Sequence, residues 1–446
     1  MKIAIIGFGR EGQSLFSFLR KHPRYKDAEI WALDKNPHIK IPREIPQRLD
    51  EHYLDGLSEF DLVFRSPGVP YMTRELVRAR KAGVHFSSPT QLFFEEAALR
   101  GAKIIGITGT KGKGTTSTLT YRILQSGGKK TFLAGNIGTP ALDIVPKLDS
   151  ASLVVLELSS FQLIDLKESP SIAVVLMVTS EHLDWHEDLP EYIAAKRNII
   201  RFQSPKGYTV IAEEYPRSRS FVKHAPGTVF TFSKKKVVKK GAWTEKGLFW
   251  FSDGKRKENI CLVSDLWIPG FHNLDNTCAA ITVAKILGVK NTAIRSAIRG
   301  FRGLEHRLEL VKKVRGVTYY DDSYATTPET AAVAVQAFEN PKILILGGSS
   351  KGSDFKRLGK LISASKSIKA IIGVGVEWSR IKRLIKNPRL RIVEGCKNMK
   401  QIVRTAHKLT SPGDVVLLSP ACASFGMFKN YTDRGEQFKK QVRELK

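Results

Sequence analysis

Short runs of apolar, often β-branched residues alternate along the whole chain with longer stretches of helical periodicity. Runs that are apolar at every position indicate strands buried on both faces, and their alternation with helices is typical of parallel sheets covered by helices. The clearest strands are expected at residues 3–6, 30–33, 62–64, 103–107, 154–158, 172–178, 343–346 and 415–418. The sequence therefore predicts an α/β protein with mostly parallel sheets.

Three of these strands lead directly into glycine-rich turns, which begin at Gly7, Gly106 and Gly347. Each turn could open a nucleotide-binding-like domain of its own. The 446 residues allow three domains at about 150 residues per domain. We predict a Rossmann-like N-terminal domain over residues 1–95, a central P-loop ATPase domain over 96–302 and a Rossmann-like C-terminal domain over 303–446.

The chain is strongly basic, with 72 Lys and Arg against 43 Asp and Glu and a net charge of +29. Such a surface favours anionic partners, which include nucleotides, acidic metabolites, nucleic acid and anionic lipid. The positive residues are dispersed rather than interleaved with aromatic residues, and no nucleic-acid module is recognisable, so a nucleic-acid partner is disfavoured. The charge alone does not choose among the other classes.

A soluble, cytoplasmic protein is expected. No apolar stretch approaches the roughly 18 residues that a membrane span needs, and the first apolar run is too short for a signal peptide. The four cysteines have no metal-ligand spacing and are expected to be reduced and buried. We expect no membrane partner, and a monomer is favoured although the sequence does not fix the oligomeric state.

The first glycine-rich turn has the sequence Gly7-Phe-Gly-Arg-Glu-Gly12 and opens a helix. Backbone amides at a helix N-terminus can bind a diphosphate. Asp34 follows 22 residues after Gly12, at the end of the second strand, where an acid can accept hydrogen bonds from a sugar or base. The motif predicts a dinucleotide or nucleoside-diphosphate site; the alternative is a turn whose glycines serve only tight packing.

The second turn, Gly106-Ile-Thr-Gly-Thr-Lys-Gly-Lys-Gly-Thr-Thr116, is the stronger signal. It indicates a phosphate-binding loop in which Lys113 reaches the β- and γ-phosphates and a hydroxyl binds Mg²⁺. In the usual form Ser or Thr directly follows the lysine, but here Gly114 intervenes, so Thr115 must supply the hydroxyl.

Two further segments follow apolar strands. Glu157 ends one of them, and because an unpaired buried carboxylate is costly, it should meet a cation, either a metal ion or a lysine. His182 follows the next strand in Glu181-His-Leu-Asp184, where a histidine could ligate a metal or simply cap or pack. The lysine-rich run 234–240, followed by antiparallel hairpins, is expected to be a solvated edge strand.

Taken together, these segments resemble the Mur ligase family over essentially the whole chain. The resemblance is carried by the phosphate loop and by Gly135-Asn-Ile-Gly138, Glu157-Leu-Ser-Ser-Phe-Gln-Leu163, Glu181-His-Leu-Asp184, Tyr192 with Ala195-Lys196, Gly270-Phe-His-Asn273 with Asn276, His306-Arg307, Asp322-Ser with Ala325-Thr326, Leu418-Ser-Pro-Ala-Cys-Ala-Ser-Phe-Gly-Met-Phe428, Asn430-Tyr431 and Arg434-Gly435. The segments at 157–163 and 419–424 resemble those of members that add D-glutamate to UDP-N-acetylmuramoyl-L-alanine.

The resemblance implies an ATP-dependent amide ligase of peptidoglycan precursor synthesis. Its substrates would be UDP-N-acetylmuramoyl-L-alanine and D-glutamate, its cofactors ATP and Mg²⁺, and its intermediate an acyl phosphate. Such chemistry brings anions together, which explains the need for Mg²⁺ and lysines near the transferred phosphoryl group.

The resemblance also assigns the ATP and metal residues. Those matching ATP-binding positions are Thr110, Lys111, Gly112, Lys113, Gly114, Thr115, Thr116, Asn273, Asn276, Arg307 and Asp322. Those matching metal ligands are Thr115, Glu157, His182 and, if it is carbamylated, Lys196. Lys113, Glu157, His182 and Lys196 are therefore the expected catalytic residues.

The two other substrates have residues assigned in the same way. Positions matching the nucleotide-sugar site are Gly9, Arg10, Glu11, Asp34, Lys35, Ser66, Gly68, Asn136, Ser159 and Gln162. Positions matching the site of the incoming amino acid are Thr326, Lys351, Ser424 and Tyr431. A cation and hydroxyls are the groups that two carboxylates require.

Three departures from the family pattern concern the amino acid. Tyr324 stands where a lysine is usual, Gly426 replaces an acid and Ser349 replaces an acid after two glycines. Because Tyr324 lacks the positive charge of the usual lysine near Thr326, two alternatives stay open. They are a related ligase that adds another amino acid and a folate-type ligase. The alternative from another class is a basic P-loop protein that binds nucleic acid, whose affinity would fall steeply with salt.

Overall fold

A computed structural model describes residues 1–179, 185–350 and 352–446. They form two compact units, one of Met1–Asp265 with Leu274–Arg299 and the other of Leu266–Asn273 with Gly300–Lys446. The α/β class with mostly parallel sheets is confirmed. The boundaries expected at residues 95 and 302 stay predictions.

A five-stranded parallel sheet lies in the N-terminal part of the first unit. Its strands are β1 (Lys2–Ile6), β2 (Glu29–Asp34), β3 (Gln47–Leu49), β4 (Leu62–Arg65) and β5 (His85–Ser87), and its helices are α1 (Arg10–Leu19), α2 (Arg74–Lys81) and α3 (Pro89–Leu99). The spatial order is β3-β2-β1-β4-β5. The order therefore reverses between β1 and β4, and ligands of such sheets bind beyond the carboxyl ends of the strands at this point.

A six-stranded parallel sheet follows in the same unit. Its strands are β6 (Lys103–Thr108), β7 (Thr131–Gly135), β8 (Leu153–Glu157), β9 (Ile172–Val175), β10 (Tyr208–Ala212) and β11 (Thr228–Phe232). The helices are α4 (Lys113–Ser126), α5 (Ala141–Ile144), α6 (Ser160–Leu163), α7 (Leu189–Arg201), α8 (Pro216–Arg219), α9 (His272–Ile286) and α10 (Asn291–Gly300). In the order β11-β10-β9-β6-β8-β7, strand β6 lies between β9 and β8, so the phosphate loop after β6 again emerges where the strand order reverses.

The strand expected at residues 172–178 is shorter than predicted. It ends at Val175, although Leu176 and Val178 are buried. Beyond Val175 the chain approaches the phosphate loop, where the amide of Thr110 donates to the carbonyl of Met177 at 2.7 Å. These loop contacts replace sheet pairing.

Antiparallel hairpins follow β11, as expected: β12 (Gly241–Glu245), β13 (Leu248–Ser252) and β14 (Lys257–Leu262) form a three-stranded sheet. The edge strand expected for the lysine-rich run 234–240 was wrong, because the run forms bends and irregular structure between β11 and β12, but Lys235, Lys236 and Lys239 are exposed as expected. Lys234 is largely buried and pairs with Asp275. This ion pair joins the segment after β11 to α9, which explains why the Lys234 side chain does not point to solvent.

The second unit contains a six-stranded sheet in the order β15-β16-β20-β17-β18-β19, parallel except for the antiparallel pair β15–β16. Its strands are β15 (Glu309–Val314), β16 (Val317–Asp321), β17 (Lys342–Gly347), β18 (Ile368–Val374), β19 (Arg391–Val393) and β20 (Val415–Leu418). Its helices are α11 (Pro328–Gln336), α12 (Lys356–Ala364), α13 (Trp378–Arg383), α14 (Met399–Lys408) and α15 (Tyr431–Arg443). Apolar clusters cover both faces of this sheet. Among the described helices of the whole chain, none is both long and apolar enough to cross a membrane.

Candidate active site

A cavity of about 990 Å³ lies beyond the carboxyl ends of the first sheet. The turns after β1 and β4 and the end of β2 form part of its wall, and residues after β7 and β8 form another part. All ten residues expected at the nucleotide-sugar site line it: Gly9, Arg10, Glu11, Asp34, Lys35, Ser66, Gly68, Asn136, Ser159 and Gln162. Segments separated by more than 60 residues of sequence are thus brought to one cavity.

The glycines of the first turn have different physical roles. Gly7 has a φ of +84°, and a Cβ there would lie 2.9 Å from the Cβ of Ser66, whose hydroxyl donates to the Gly7 carbonyl at 2.7 Å. A Cβ at Gly12 would lie 2.3 Å from the Gly7 carbonyl oxygen. These two glycines serve close packing, whereas a Cβ at Gly9 would meet nothing within 4 Å. Gly9 leaves open space where α1 begins beside the cavity.

Asp34 holds the shape of this wall. Its carboxylate accepts hydrogen bonds from the amides of Phe8 at 2.7 Å and Asn36 at 2.8 Å. One bond is to the glycine-rich turn and the other to the segment after β2. The side chain therefore fixes two edges of the cavity that it lines.

Glu11 is the acidic group with the most perturbed environment in the cavity. Burial raises its pKa, while the charges of Arg10 and Arg65 act in the opposite direction. Gln162 donates to Oε1 at 3.2 Å, and Oε2 is buried without a hydrogen-bond partner among the described residues. An unpartnered buried oxygen beside a cavity is suited to bonding a polar ligand.

Arg65, which the sequence reasoning missed, ties the two walls together. It is 1% exposed; Nε donates to Asp165 at 2.8 Å, Nη1 to the Val69 carbonyl at 2.7 Å and Nη2 to the Phe161 carbonyl at 2.9 Å. Val69 and Phe161 both line the cavity. Arg65 is a charged residue at the end of an apolar strand, and this same pattern singled out Glu157.

The phosphate loop joins β6 to α4. Gly112, with a φ of +89°, immediately precedes α4, and a Cβ there would lie 2.3 Å from Oδ1 of Asn276. The Lys113 ammonium donates to the carbonyls of Gly109 at 3.0 Å and Thr110 at 3.1 Å. The predicted ATP residues of the first unit, Thr110, Lys111, Gly112, Lys113, Gly114, Thr115, Thr116 and Asn276, therefore come together in the loop, in the first turn of α4 and on the adjoining part of α9.

Glu157 ends β8 beside this loop. It is 5% exposed, pairs in register with Ile107 of β6 and accepts a hydrogen bond from the Asn136 side chain at 3.0 Å on Oε1. The described contacts of its carboxylate thus involve an amide rather than a lysine.

Lys196 connects α7 to the same loop. It is 2% exposed, and its ammonium donates to the Gly109 carbonyl at 3.0 Å and lies 4.7 Å from the centre of the Tyr192 ring. The Tyr192 hydroxyl lies 2.8 Å from Oγ1 of Thr110. Lys196 is therefore at the loop, as expected, whereas His182 lies outside the described residues.

Asp322 is the most perturbed acid of the second unit. It accepts hydrogen bonds from the Ser419 hydroxyl at 2.7 Å and from the amide of Leu308 at 3.1 Å. Burial raises its pKa to about 7, and these hydrogen bonds oppose the shift. Near neutral pH this carboxyl can carry a proton or a charge.

Arg307 directly follows His306, which belongs to a buried ion-pair cluster. His306 bonds Asp321 at 2.7 Å, and Lys439 lies 3.2 Å from Glu309. Burial opposes the charged form of His306, but the hydrogen bond and charge of Asp321 outweigh it, so the His306 pKa is raised. The carboxylate and imidazole atoms are close enough to hold a metal ion, yet the Lys439 ammonium already supplies a cation.

The residues expected at the amino-acid site are partly gathered around two tyrosines. Tyr431 meets Tyr324 edge-on at 5.3 Å, and the exposed guanidinium of Arg307 lies 4.4 Å from the Tyr324 ring centre. Thr326 is next to this group, because its amide donates to the Tyr324 carbonyl at 2.8 Å. Tyr324 thus has an arginine over its ring, at the position where a lysine was expected.

The remaining predicted residues of the second unit are more dispersed. Ser424 is 5% exposed. Ser349, which replaces the acid usual in the family, lies close to Ser424, because its amide donates to the carbonyl of the preceding residue, Ala423, at 2.9 Å. Asn273, in the first turn of α9, donates from its side chain to the Pro269 carbonyl at 2.6 Å. Lys351 lies outside the described residues.

Three family models match this chain. They are the Mur ligase MurD-like N-terminal domain over residues 1–88, the Mur ligase middle domain over 107–284 and the Mur ligase glutamate ligase domain over 306–422. The UDP-N-acetylmuramoylalanine–D-glutamate ligase of Acetivibrio thermocellus is 38% identical over 100% of this chain and 96% of its own length. The chain belongs to the Mur ligase family.

Other Mur ligases extend this relation. The UDP-N-acetylmuramoylalanine–D-glutamate ligase of Caldicellulosiruptor bescii is 34% identical over 99% of this chain and 97% of its own length. The crystal structure of UDP-N-acetylmuramate-alanine ligase MurC from Thermotoga maritima has a TM-score of 0.57 at 21% identity, covering 99% of each chain. The structure of MurF ligase from Thermotoga maritima, in complex with ADP, has a TM-score of 0.56 at 19% identity, covering 96% of this chain and 92% of that one. These two structures support the three-domain Mur ligase fold of the chain.

Proposed function

We propose that this Mur ligase uses ATP to join D-glutamate to UDP-N-acetylmuramoyl-L-alanine, in the synthesis of peptidoglycan precursors. The relatives that match the full chain at 34–38% identity carry the name of this activity. The cavity supports the same substrate, because it is large, has backbone amides at the start of α1 and is lined by Arg10 and Lys35, as a sugar nucleotide with a diphosphate requires.

One contact carries the proposal furthest. Asn136 lines the cavity, and its side chain donates to Glu157, which lies beside the phosphate loop. A ligand in the cavity whose far end reaches Asn136 would therefore present that end next to the position proposed for the ATP phosphates. This arrangement suits the alanyl carboxylate of a long nucleotide-sugar substrate.

In the proposed reaction a carboxylate oxygen of the alanyl group attacks the γ-phosphorus of ATP, and the bond to the β-phosphate oxygen breaks. The products of this step are an acyl phosphate and ADP. The amine of D-glutamate then attacks the acyl carbon, inorganic phosphate leaves, and the nitrogen loses a proton as the amide forms. Both steps develop negative charge on phosphoryl oxygens, which the Lys113 ammonium and the amides at the start of α4 are placed to stabilise.

The donor set beside the loop fits Mg²⁺. Thr115 and Glu157 offer a hydroxyl and a carboxylate, which supply the hard oxygen ligands that this ion prefers. We propose that these two residues hold one Mg²⁺, that His182 ligates a second metal ion, and that Lys196, when carbamylated, is a further metal ligand. When bound, the ion would neutralise phosphate charge. Without carbamylation, Lys196 instead orients the loop through the Gly109 carbonyl.

For the incoming amino acid we propose Thr326, Ser424, Tyr431 and Lys351 as carboxylate-binding residues. Arg307, proposed as a phosphate ligand of ATP, is held over the ring of Tyr324. A cation thus remains in this region, although the usual lysine is absent. The substitution at position 324 is therefore compatible with an acidic amino acid.

The test is ADP release by the purified protein with ATP, Mg²⁺ and UDP-N-acetylmuramoyl-L-alanine. D-Glutamate is compared with D-aspartate, L-glutamate, L-lysine and no amino acid. Turnover that requires D-glutamate is expected. Turnover with another amino acid would contradict the specificity, and no turnover under any condition would contradict the activity itself.

A variant pair makes this test specific to the proposed site. Asn136→Leu should lower kcat, because the contact that orients Glu157 is lost. Asn291→Leu removes a similar bond, in which the amide of Asn291 donates to Glu258 at 2.8 Å. This bond is not at the proposed site, so its loss should leave kcat unchanged. Equal effects of the two variants would contradict the role given to Asn136.

A further inference from the structure

A buried histidine, His186, lies between the cavity and the phosphate loop. It is 3% exposed, and both nitrogens of its ring have partners: Nε2 lies 2.9 Å from the Ser160 hydroxyl and Nδ1 lies 3.0 Å from Oε2 of Glu191. A carboxylate can only accept, so Nδ1 donates to Glu191. Two bonds on opposite sides of the ring fix its orientation.

Aromatic contacts extend from His186 towards the cavity. Phe161 lines the cavity, and its ring centre lies 4.3 Å from that of Trp185. Trp185 meets the His186 ring edge-on at 4.7 Å. Ser160, which bonds His186, adjoins Ser159, another lining residue. The first turn of α6, and with it this wall of the cavity, is therefore held by His186.

On its other side His186 contacts the support of the phosphate loop. Its ring centre lies 5.3 Å from that of Tyr192, whose hydroxyl is 2.8 Å from Oγ1 of Thr110. The Lys196 ammonium lies over the same tyrosine ring and donates to the Gly109 carbonyl. An unbroken series of contacts thus joins the cavity wall to the loop through one imidazole ring.

We propose that His186 is a positioning residue that sets the distance between the acyl end of the cavity and the phosphate loop. The inference rests on the proposed function, in which a carboxylate bound at one end attacks a phosphoryl group bound at the other. Reacting atoms must approach to about 3–3.5 Å, and a displacement of about 1 Å can lower a rate roughly 100-fold. Loss of the histidine should therefore lower kcat, while each substrate still binds its own site.

Two substitutions separate the two ring nitrogens. The amide nitrogen of His186→Asn can replace Nδ1 and keep the bond to Glu191, whereas that of His186→Gln can replace Nε2 and keep the bond to Ser160. Because Ser160 begins α6 at the cavity wall, the bond to Ser160 should matter more. We expect kcat to fall about 10- to 100-fold in His186→Asn and less in His186→Gln. The KM values for ATP and for the sugar nucleotide should change less than about threefold in both.

Ser160→Ala provides a second route that leaves the histidine in place. This variant should lower kcat in the wild-type background and have little further effect in His186→Asn, because the same contact has already been lost. Additive losses in the double variant would overturn the proposal. Affinity for UDP, measured by calorimetry, should stay within about threefold of the wild type in each variant, since the substitutions act on α6 and leave the turns after β1 and β4, which line the rest of the cavity, in place.

The control is Tyr319→Phe, which removes another buried tyrosine–histidine contact, from the Tyr319 hydroxyl to Nδ1 of His407 at 2.7 Å in the second unit. It should destabilise the fold to a similar degree and leave kcat unchanged. Wild-type turnover separates the two hypotheses. An inactive wild type contradicts the proposed function, whereas an active wild type with equally active His186 variants, or with kcat losses that Tyr319→Phe reproduces, overturns the role of His186.

Discussion

Arg65 offers a quantitative test of how the cavity is built. In Arg65→Met the charge and the three donors are lost, while the apolar stem is retained. Asp165, whose side chain is 15% exposed, then has no guanidinium partner, and the carbonyls of Val69 and Phe161 lose their donors. Breaking a buried ion pair from one side costs about 3–5 kcal/mol.

The corresponding fall in Tm is about 6–20 °C, because about 2–4 °C is lost per kcal/mol in a domain of this size. In the double variant Arg65→Met with Asp165→Leu the unpaired carboxylate is removed as well. It should recover part of the loss, although the buried carbonyl of Val69 and the partly buried carbonyl of Phe161 still lack donors, at up to about 1–3 kcal/mol each. Differential scanning calorimetry of both variants measures these shifts.

Affinity for UDP should respond differently from stability. Neither variant restores the connection between the turn after β4 and α6, so UDP should bind about tenfold more weakly in both, a free-energy change of about 1.4 kcal/mol. The matched control is Arg299→Met, since Nε of Arg299 lies 2.8 Å from Asp265 but its side chain is 56% exposed. Such a pair contributes about 0–1 kcal/mol. An Arg65→Met protein with the stability of this control, or a double variant with wild-type UDP affinity, would refute the reasoning.

Three further predictions concern the loop and the second unit. Gly112→Ala should lower kcat at least about 100-fold, because a Cβ would displace the loop. The control Gly83→Ala has the same φ of +89° but open space around its Cβ, so it should keep full activity and lose about 1 kcal/mol of stability. Steady-state kinetics and thermal melts compare the two variants. Burial raises the pKa of Asp322 from 3.8 to about 7, so the folded chain binds more protons than the unfolded chain between these values and stability falls as pH rises through this window. Relative to the wild type, the Tm of Asp322→Asn should therefore rise between about pH 4 and about pH 7, and a constant difference would contradict the assignment. Tyr324→Leu should raise the KM for ATP about two- to fivefold by releasing the guanidinium of Arg307, and Tyr324→Phe, which keeps the ring, should not.

The sequence predicted the fold class and the places where glycine-rich turns interrupt it, because these depend on local patterns. Gly7 and Gly112 have positive φ values and no room for a Cβ, and turns of this kind favour glycine in any sequence. The lysine-rich run 234–240 shows the limit of such reasoning. Whether Lys234 faces solvent or Asp275 depends on a helix about 40 residues away in the sequence, and the composition around Lys234 does not predict that helix's position.

The same limit applies to the site. That Asn136 and Glu157 meet follows from the neighbouring positions of β7 and β8 in the sheet, which sequence spacing alone does not give. His186 gave no distinct signal, since its partners Ser160 and Tyr192 lie on two different helices. Arg65 was detectable in principle, because a charge at the end of an apolar strand requires a buried partner.

Transfer of ¹⁸O from the substrate to phosphate tests whether the reaction passes through an acyl phosphate. UDP-N-acetylmuramoyl-L-alanine carrying ¹⁸O in both oxygens of its alanyl carboxylate is turned over with ATP and D-glutamate, and the released phosphate and the product are analysed by mass spectrometry. We expect one ¹⁸O atom in each phosphate molecule and a product extended by one D-glutamyl residue that retains the other ¹⁸O. Product formation with unlabelled phosphate would contradict the acyl-phosphate mechanism, and labelled phosphate without the D-glutamyl product would contradict the amino-acid assignment.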